Sequence, residues 1–233
     1  IVLANNGVHA RLWDRDSEHC QSLAENRENR KYLPGTLLPE LVEPSIELET
    51  ALKGAGYLLV AIPSSGFRDA IYHAREYASS RPNLVWASKG LDPGSGKFLH
   101  ELVAEEFPEV VNAAALSGPS FATEVARGLP TAVTIASANM DYAERVARLF
   151  HCERFRAYTS NDVIGVELGG SIKNVLAIAA GISDGLGYGA NARAALITRG
   201  LAEIMRLGTH LGGQRETFMG LAGVGDLVLT CTY

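Results

Sequence analysis

A chain of 233 residues, 47% hydrophobic and 20% charged, has an ordinary globular composition and length enough for one large or two small domains. Its net charge of -5 supplies no basic footprint for nucleic acid, and apolar runs of about eight to ten residues are too short to insert in a membrane. Cys20, Cys152 and Cys231 are widely separated and odd in number, which fits free thiols in a reducing compartment, and the six histidines show no ligand spacing, so no metal site is expected.

Ile1 to Gly7 reads as the last turns of a helix closed by Gly7, with a true N-terminus upstream of Ile1. A strand follows over His9–Trp13, then Asp14-Arg15-Asp16 at its carboxyl end, and a helix capped by Ser17 runs to Asn26. Glu28 to Pro44, rich in proline and glycine, reads as loop. A short helix over Glu47–Lys53 precedes a buried strand, Tyr57–Ile62, stopped by Pro63-Ser64-Ser65. The alternation then repeats, with helices over Phe67–Ala78, Gly96–Phe107, Phe121–Arg127 and Tyr142–Phe150. The strands between and after them are Leu84–Ala87, Asn112–Leu116, Ala132–Ala136 and Phe155–Tyr158. Such alternation predicts an α/β fold, a doubly wound, mostly parallel Rossmann-like sheet over residues 1–160. From Asn161 the strand signals stop, and residues 161–233 read as an all-helical C-terminal domain. Its elements are a long proline-free helix capped by Asn161 or Asp162, a helix over Ala192–Leu211, and a glycine-broken stretch to Thr230.

In an open α/β sheet, ligands bind beyond the carboxyl ends of the strands. Asp14-Arg15-Asp16 occupies such an end. An acid there favours a free ribose hydroxyl and an arginine accommodates a 2′-phosphate, so NAD and NADP both remain open. Lys89 follows another strand, placed either to enter the same crevice or to sit in a solvated loop. Gly118 and Ser120, in Leu116-Ser-Gly-Pro-Ser-Phe121, precede a helix whose amides suit an anion. Lys173 is the lysine of an otherwise nearly apolar helix, one turn after Gly169 and Gly170. Two interior glycines cost roughly 1 kcal/mol each relative to alanine, which makes sense where something approaches the backbone closely. Lys173 is therefore either a proton-transfer group or a lysine that snorkels to solvent beside glycines used for packing. Gly185 to Gly189 and Gly220 to Gly225 lack the strand-turn-helix setting of a phosphate fingerprint and read as helix ends and hinges.

Taken together, several strings resemble the bacterial type of NAD(P)-dependent glycerol-3-phosphate dehydrogenase over essentially the whole chain. They are Leu12-Trp-Asp-Arg-Asp16, Arg27 to Gly35, Trp86-Ala-Ser-Lys-Gly90, Leu116 to Ala122, Val166 to Asn174, Gly189 to Ala194 and Gly220 to Cys231. The resemblance implies reversible hydride transfer between NADH or NADPH and dihydroxyacetone phosphate, giving sn-glycerol 3-phosphate for glycerophospholipid synthesis, in a cytoplasmic homodimer. It implies Lys173 as general acid/base, with Lys89, Gly118, Ser120, Asn174, Asp226 and Thr230 at the substrate, and Arg15, Lys89 and Ala122 at the cofactor. Desolvation and the nearby Lys89 charge would together bring Lys173 toward neutral pH. The family's glycine-rich first turn and its phosphate-gripping Arg-Asn segment have no counterpart among the 233 residues, so the resemblance marks the chain as an internal portion of such an enzyme. Two rivals stay open: a hydroxyacid-type dehydrogenase of the same architecture, and a binding module that kept the fold without the catalysis.

Overall fold

The computed structural model describes residues 1–78, 82–109 and 112–232. Strands β1 (Ala10–Trp13) and β2 (Val42–Ser45) pair in parallel as a small sheet of their own. Five more strands form the main sheet in chain order: β3 (Tyr57–Val60), β4 (Asn83–Trp86), β5 (Ala113–Ser117), β6 (Thr131–Ala136) and β7 (Phe155–Ser160). All neighbours are parallel except β5 and β6, where Leu116 faces Ile135 in an antiparallel register. The sheet is thus mostly parallel, as expected.

The early helices are α1 (Val2–Asn5), α2 (Ser17–Asn26), α3 (Leu48–Leu52), α4 (Phe67–Tyr77), α5 (Leu99–Glu106), α6 (Ala122–Ala126) and α7 (Met140–Phe150). Helices α4 and α5 cover one face of the main sheet and α1 and α7 the other. Phe67, Ile71, Leu99 and Leu102 pack with Leu84 and Trp86 on one face, while Tyr142, Val146 and Phe150 pack with Val85, Ala114, Val133 and Ile135 on the other. Beyond β7 the chain is helical: α8 (Val163–Gly185), α9 (Gly189–His210), α10 (Arg215–Phe218), a π-helical turn over Leu221–Gly225, and α11 (Asp226–Thr232).

Three local expectations are corrected. The cap of α2 is Asp16, whose carboxylate accepts from the His19 N–H at 3.1 Å; Ser17 is already helical. The end of the presumed loop is strand β2, Pro44 included, because among the described strands β2 pairs with β1 alone and an edge strand tolerates proline. The strand expected to be buried, β3, leaves Tyr57 and Leu59 more than a third exposed, since it too is an edge among the described strands. Gly220 to Gly225 lies between the end of α10 and the start of α11, as the reading of helix ends expects. A side chain on Gly223 would lie 2.0 Å from the Phe218 carbonyl oxygen, so the π-helical turn closes tightly on α10.

Helix α8 positions the site. Asp162 caps it, one oxygen accepting from the Gly165 N–H at 2.8 Å and the other from the Gln214 N–H at 2.8 Å. With 23 residues and a mean hydropathy of 1.5 over its most apolar window, it is long and apolar enough to cross a membrane by length and composition. That exceeds the short apolar runs read from the sequence, because small residues and isolated charges interrupt the runs without breaking the helix. Packed against β5, α9, α11 and the π-helical turn, and burying Glu167 and Lys173, it serves here as a core helix.

Candidate active site

Lys173 does not snorkel. It is 8% exposed, and its Nζ donates to Asp226 Oδ1 at 2.6 Å and to Thr230 Oγ1 at 3.2 Å. Asp226 opens α11 with 1% exposure, and its backbone carbonyl accepts from the Thr230 hydroxyl at 2.7 Å. Lys89, in the loop after β4, reaches the other carboxylate oxygen, Asp226 Oδ2, at 2.7 Å. Its Nζ also donates to the carbonyl of Gly118 at 2.9 Å, which the Ser120 hydroxyl meets at 3.0 Å. Two ammonium groups, one from the sheet and one from α8, therefore share a single buried carboxylate. If all three are ionised the cluster carries one net positive charge, which suits an anionic ligand.

The expected positive neighbour of Lys173 is present, but Asp226 stands between the two cations. Burial pulls the Lys89 ammonium below the ordinary lysine value; Asp226 opposes that pull and the Lys173 charge adds to it.

The glycine pair divides its work. A side chain on Gly169 would lie 2.4 Å from the Ala222 carbonyl oxygen, so Gly169 admits the π-helical turn that delivers Asp226. A side chain on Gly170 would lie 2.9 Å from Ser117 Oγ and 3.5 Å from the Lys89 stem, so Gly170 admits the end of β5 and the Lys89 loop. Gly118 has φ +136°, and a side chain there would press on Val133 Cα at 3.1 Å. The anion-receiving helix expected after Ser120 is only the five-residue α6, so its dipole contributes little.

Of the other expected positions, Asn174 is exposed beside Lys173 and Ala122 is exposed at the start of α6. Arg15 is on the other sheet, exposed at the carboxyl end of β1. Both acids of that turn are engaged locally. Asp14 accepts from the Asp16 N–H at 2.9 Å, and Asp16 caps α2 and pairs with Lys31 at 2.9 Å.

A second polar cluster, unannounced by any motif, lies beside the first. Glu167, buried in α8, accepts from the Trp86 indole N–H at 2.9 Å and from the His100 N–H at 3.1 Å, and its other oxygen contacts His100 Nδ1. Burial pulls the His100 imidazole down, but Glu167 and, from the next position, Glu101 more than offset this and leave it above the ordinary histidine value. Ser117 was not among the expected positions either; its buried hydroxyl has no hydrogen-bond partner among the described residues. A buried hydroxyl with free capacity beside Lys89 fits a polar ligand, and the exposed Arg15 turn fits the ribose end of a dinucleotide.

Known proteins resemble this chain over its whole length. The N-terminal model of NAD-dependent glycerol-3-phosphate dehydrogenase matches residues 1–143, and the C-terminal model matches residues 162–233. The chain is 57% identical over 230 residues to a glycerol-3-phosphate dehydrogenase [NAD(P)+] from Thioalkalivibrio sulfidiphilus, covering 99% of this chain and 69% of that protein. It is 53% identical to the protein of the same name from Halorhodospira halophila, again over 99% and 69% of the two chains. The crystal structure of glycerol-3-phosphate dehydrogenase from Coxiella burnetii superimposes with a TM-score of 0.96 at 47% identity, covering 100% of this chain and 71% of the other.

Proposed function

The chain belongs to the NAD-dependent glycerol-3-phosphate dehydrogenase family, in its bacterial NAD(P) type, and from that premise we propose that it transfers hydride reversibly between NADH or NADPH and dihydroxyacetone phosphate with Lys173 as general acid/base. The observation that carries the assignment is the buried Lys173 ammonium, held at 2.6 Å by Asp226 and linked through it to Lys89 at the carboxyl end of β4. When bound, the cofactor would supply the hydride from its dihydronicotinamide ring, and its oxidised nicotinamide ring would take the hydride back in the reverse direction.

The chain's own residues manage the proton and the substrate. Lys173 gives a proton to the ketone oxygen as the carbonyl carbon is reduced, and takes it from the hydroxyl in the reverse reaction. Lys89 stays cationic and attracts the anionic substrate. Asp226 holds both lysines and, with Thr230, restricts the rotamers of Lys173. Gly118 and Ser120 form the backbone wall beneath the substrate, and Asn174 lies at its edge. Arg15 would hold the adenosine ribose end of the cofactor, while Lys89 and Ala122 would face its nicotinamide side. Cytoplasmic action as a homodimer, in supply of the glycerol phosphate backbone of membrane lipids, and a division between dinucleotide and substrate domains near residue 160 belong to the same proposal.

The test is an assay of NADH and NADPH oxidation with dihydroxyacetone phosphate beside a panel of keto forms of 3-hydroxy acids. Turnover with the phosphate ester alone is expected, and absence of any oxidation overturns the reaction. Lys173→Met should keep its circular dichroism spectrum and lose about 10²–10⁴-fold in kcat. A folded Lys173→Met protein with near-normal turnover overturns the acid/base role.

A further inference from the structure

Glu167 lies six residues before Lys173 in α8 and is 7% exposed. Burying a carboxylate costs several kcal/mol unless its partners are well placed, and the hydride-transfer chemistry gives it no task. Its bonds nonetheless are specific. They join α8 to Trp86, which is 1% exposed on β4 and precedes Lys89 by three residues, and to His100 in the first turn of α5. One side chain therefore ties the helix bearing Lys173 to the strand leading to Lys89.

The contact just beyond that tie is bare. Gly169 and Gly170 present no side chains, and a cavity of about 10 Å³ lies among Trp86, Lys89, Ser117, Glu167 and Gly170. Interdigitated side chains normally fix a helix on a sheet. Val163 and Val166 supply them beside Trp86, but over the next turn, which leads to Lys173 about 9 Å along the axis from Glu167, glycine surfaces meet Ser117, the Lys89 stem and the π-helical turn directly. Over that turn the Glu167 hydrogen bonds add direction to the packing that glycine surfaces do not supply.

We infer that Glu167 is a positioning residue: by holding Trp86 and His100 it sets the register between α8 and β4 at which Asp226 can meet Lys173 and Lys89 together. It needs no contact with substrate, since it acts through the two lysines, and it rests on the roles given to them above.

Three variants test this. Glu167→Gln keeps an acceptor for Trp86 and His100; Glu167→Leu fills similar volume and removes the tie; Trp86→Phe deletes the indole donor while keeping an aromatic ring in the core. The readouts are urea unfolding, kcat and KM for dihydroxyacetone phosphate, and labelling of Lys89 and Lys173 by an amine-reactive reagent, followed by peptide mass spectrometry without substrate or cofactor. Glu167→Leu is expected to lose about 10²-fold in kcat, the scale of a displacement of about 1 Å, with a smaller change in KM. Lys89 and Lys173 should then label several-fold faster relative to Lys53 and Lys97, and Glu167→Gln should restore most of both properties. A folded Glu167→Leu with unchanged kcat and labelling overturns the inference, as does a folded Glu167→Gln no better than Glu167→Leu. If Glu167→Leu does not fold, Trp86→Phe decides: faster labelling of both lysines supports the tie, and unchanged labelling overturns it. Labelling that responds in a protein inactive toward dihydroxyacetone phosphate would leave the tie standing and remove only the reaction.

Discussion

Lys173 and Lys89 hold opposite oxygens of one carboxylate, at 2.6 and 2.7 Å, although one lysine belongs to the helical part and the other to the sheet. Asp226 is thus the counter-charge that lets two ammonium groups share a poorly hydrated crevice. Asp226→Ala should cost about 3–5 kcal/mol of stability, because it leaves buried charge uncompensated. Urea unfolding of the variant and its parent measures the loss. Replacing Lys89 with methionine in the same background should recover part of it, by relieving the repulsion between the cations.

Glycines on α8 offer a paired comparison. Gly181 faces open space, so Gly181→Ala should raise stability by up to about 1 kcal/mol through helix propensity alone. Gly169→Ala places a methyl against the Ala222 carbonyl and must displace the π-helical turn. It should lower the urea midpoint and reduce kcat together, since Asp226 follows directly from that turn.

Lys89, whose ammonium burial holds below the ordinary lysine value, gives a signed pH effect. The cation is lost as pH rises through this depressed value, so KM for the anionic substrate should climb on an alkaline limb below the usual lysine range. A Lys89→Arg protein stays charged over that range and should lose the limb, whatever its absolute activity. Steady-state KM measured across the alkaline range decides it.

His100 gives the opposite sign. Its folded value lies above the ordinary one, so its contribution to stability is complete below the histidine range and fades as pH rises through the folded value. Urea midpoints for the parent and His100→Gln should therefore differ most in mild acid and converge in mild alkali. A constant difference across that span would sink the assignment.

The element order was legible because strands and helices alternate with clear turn signals, and Lys173 stood out as a charge in an apolar helix. Strand direction was less visible: nothing in the pattern around Ser117 to Thr131 announces that β6 reverses against β5. The sharing of Asp226 could not be read either, since its lysine partners lie 53 and 137 residues away and spacing carries no distance at that range. Glu167 is the instructive omission. It interrupts the same apolar helix as Lys173 and gave an equal signal, but its partners Trp86 and His100 are 81 and 67 positions off and read as ordinary strand and helix residues. The glycine pair announced a close approach without naming the visitor; at Gly169 it is backbone from the π-helical turn.

That contact between Gly169 and Ala222 bears on how the chain tolerates variation. No functional group is present at either position, yet any side chain at 169 pushes on the carbonyl that leads into Asp226. In a saturation scan scored by growth, position 169 should therefore be as intolerant as a proton donor, while Gly181, three turns along the same helix, accepts many residues. The mutational profile of α8 would then follow where its neighbours' backbones pass, and much of its apparent chemistry would be clearance.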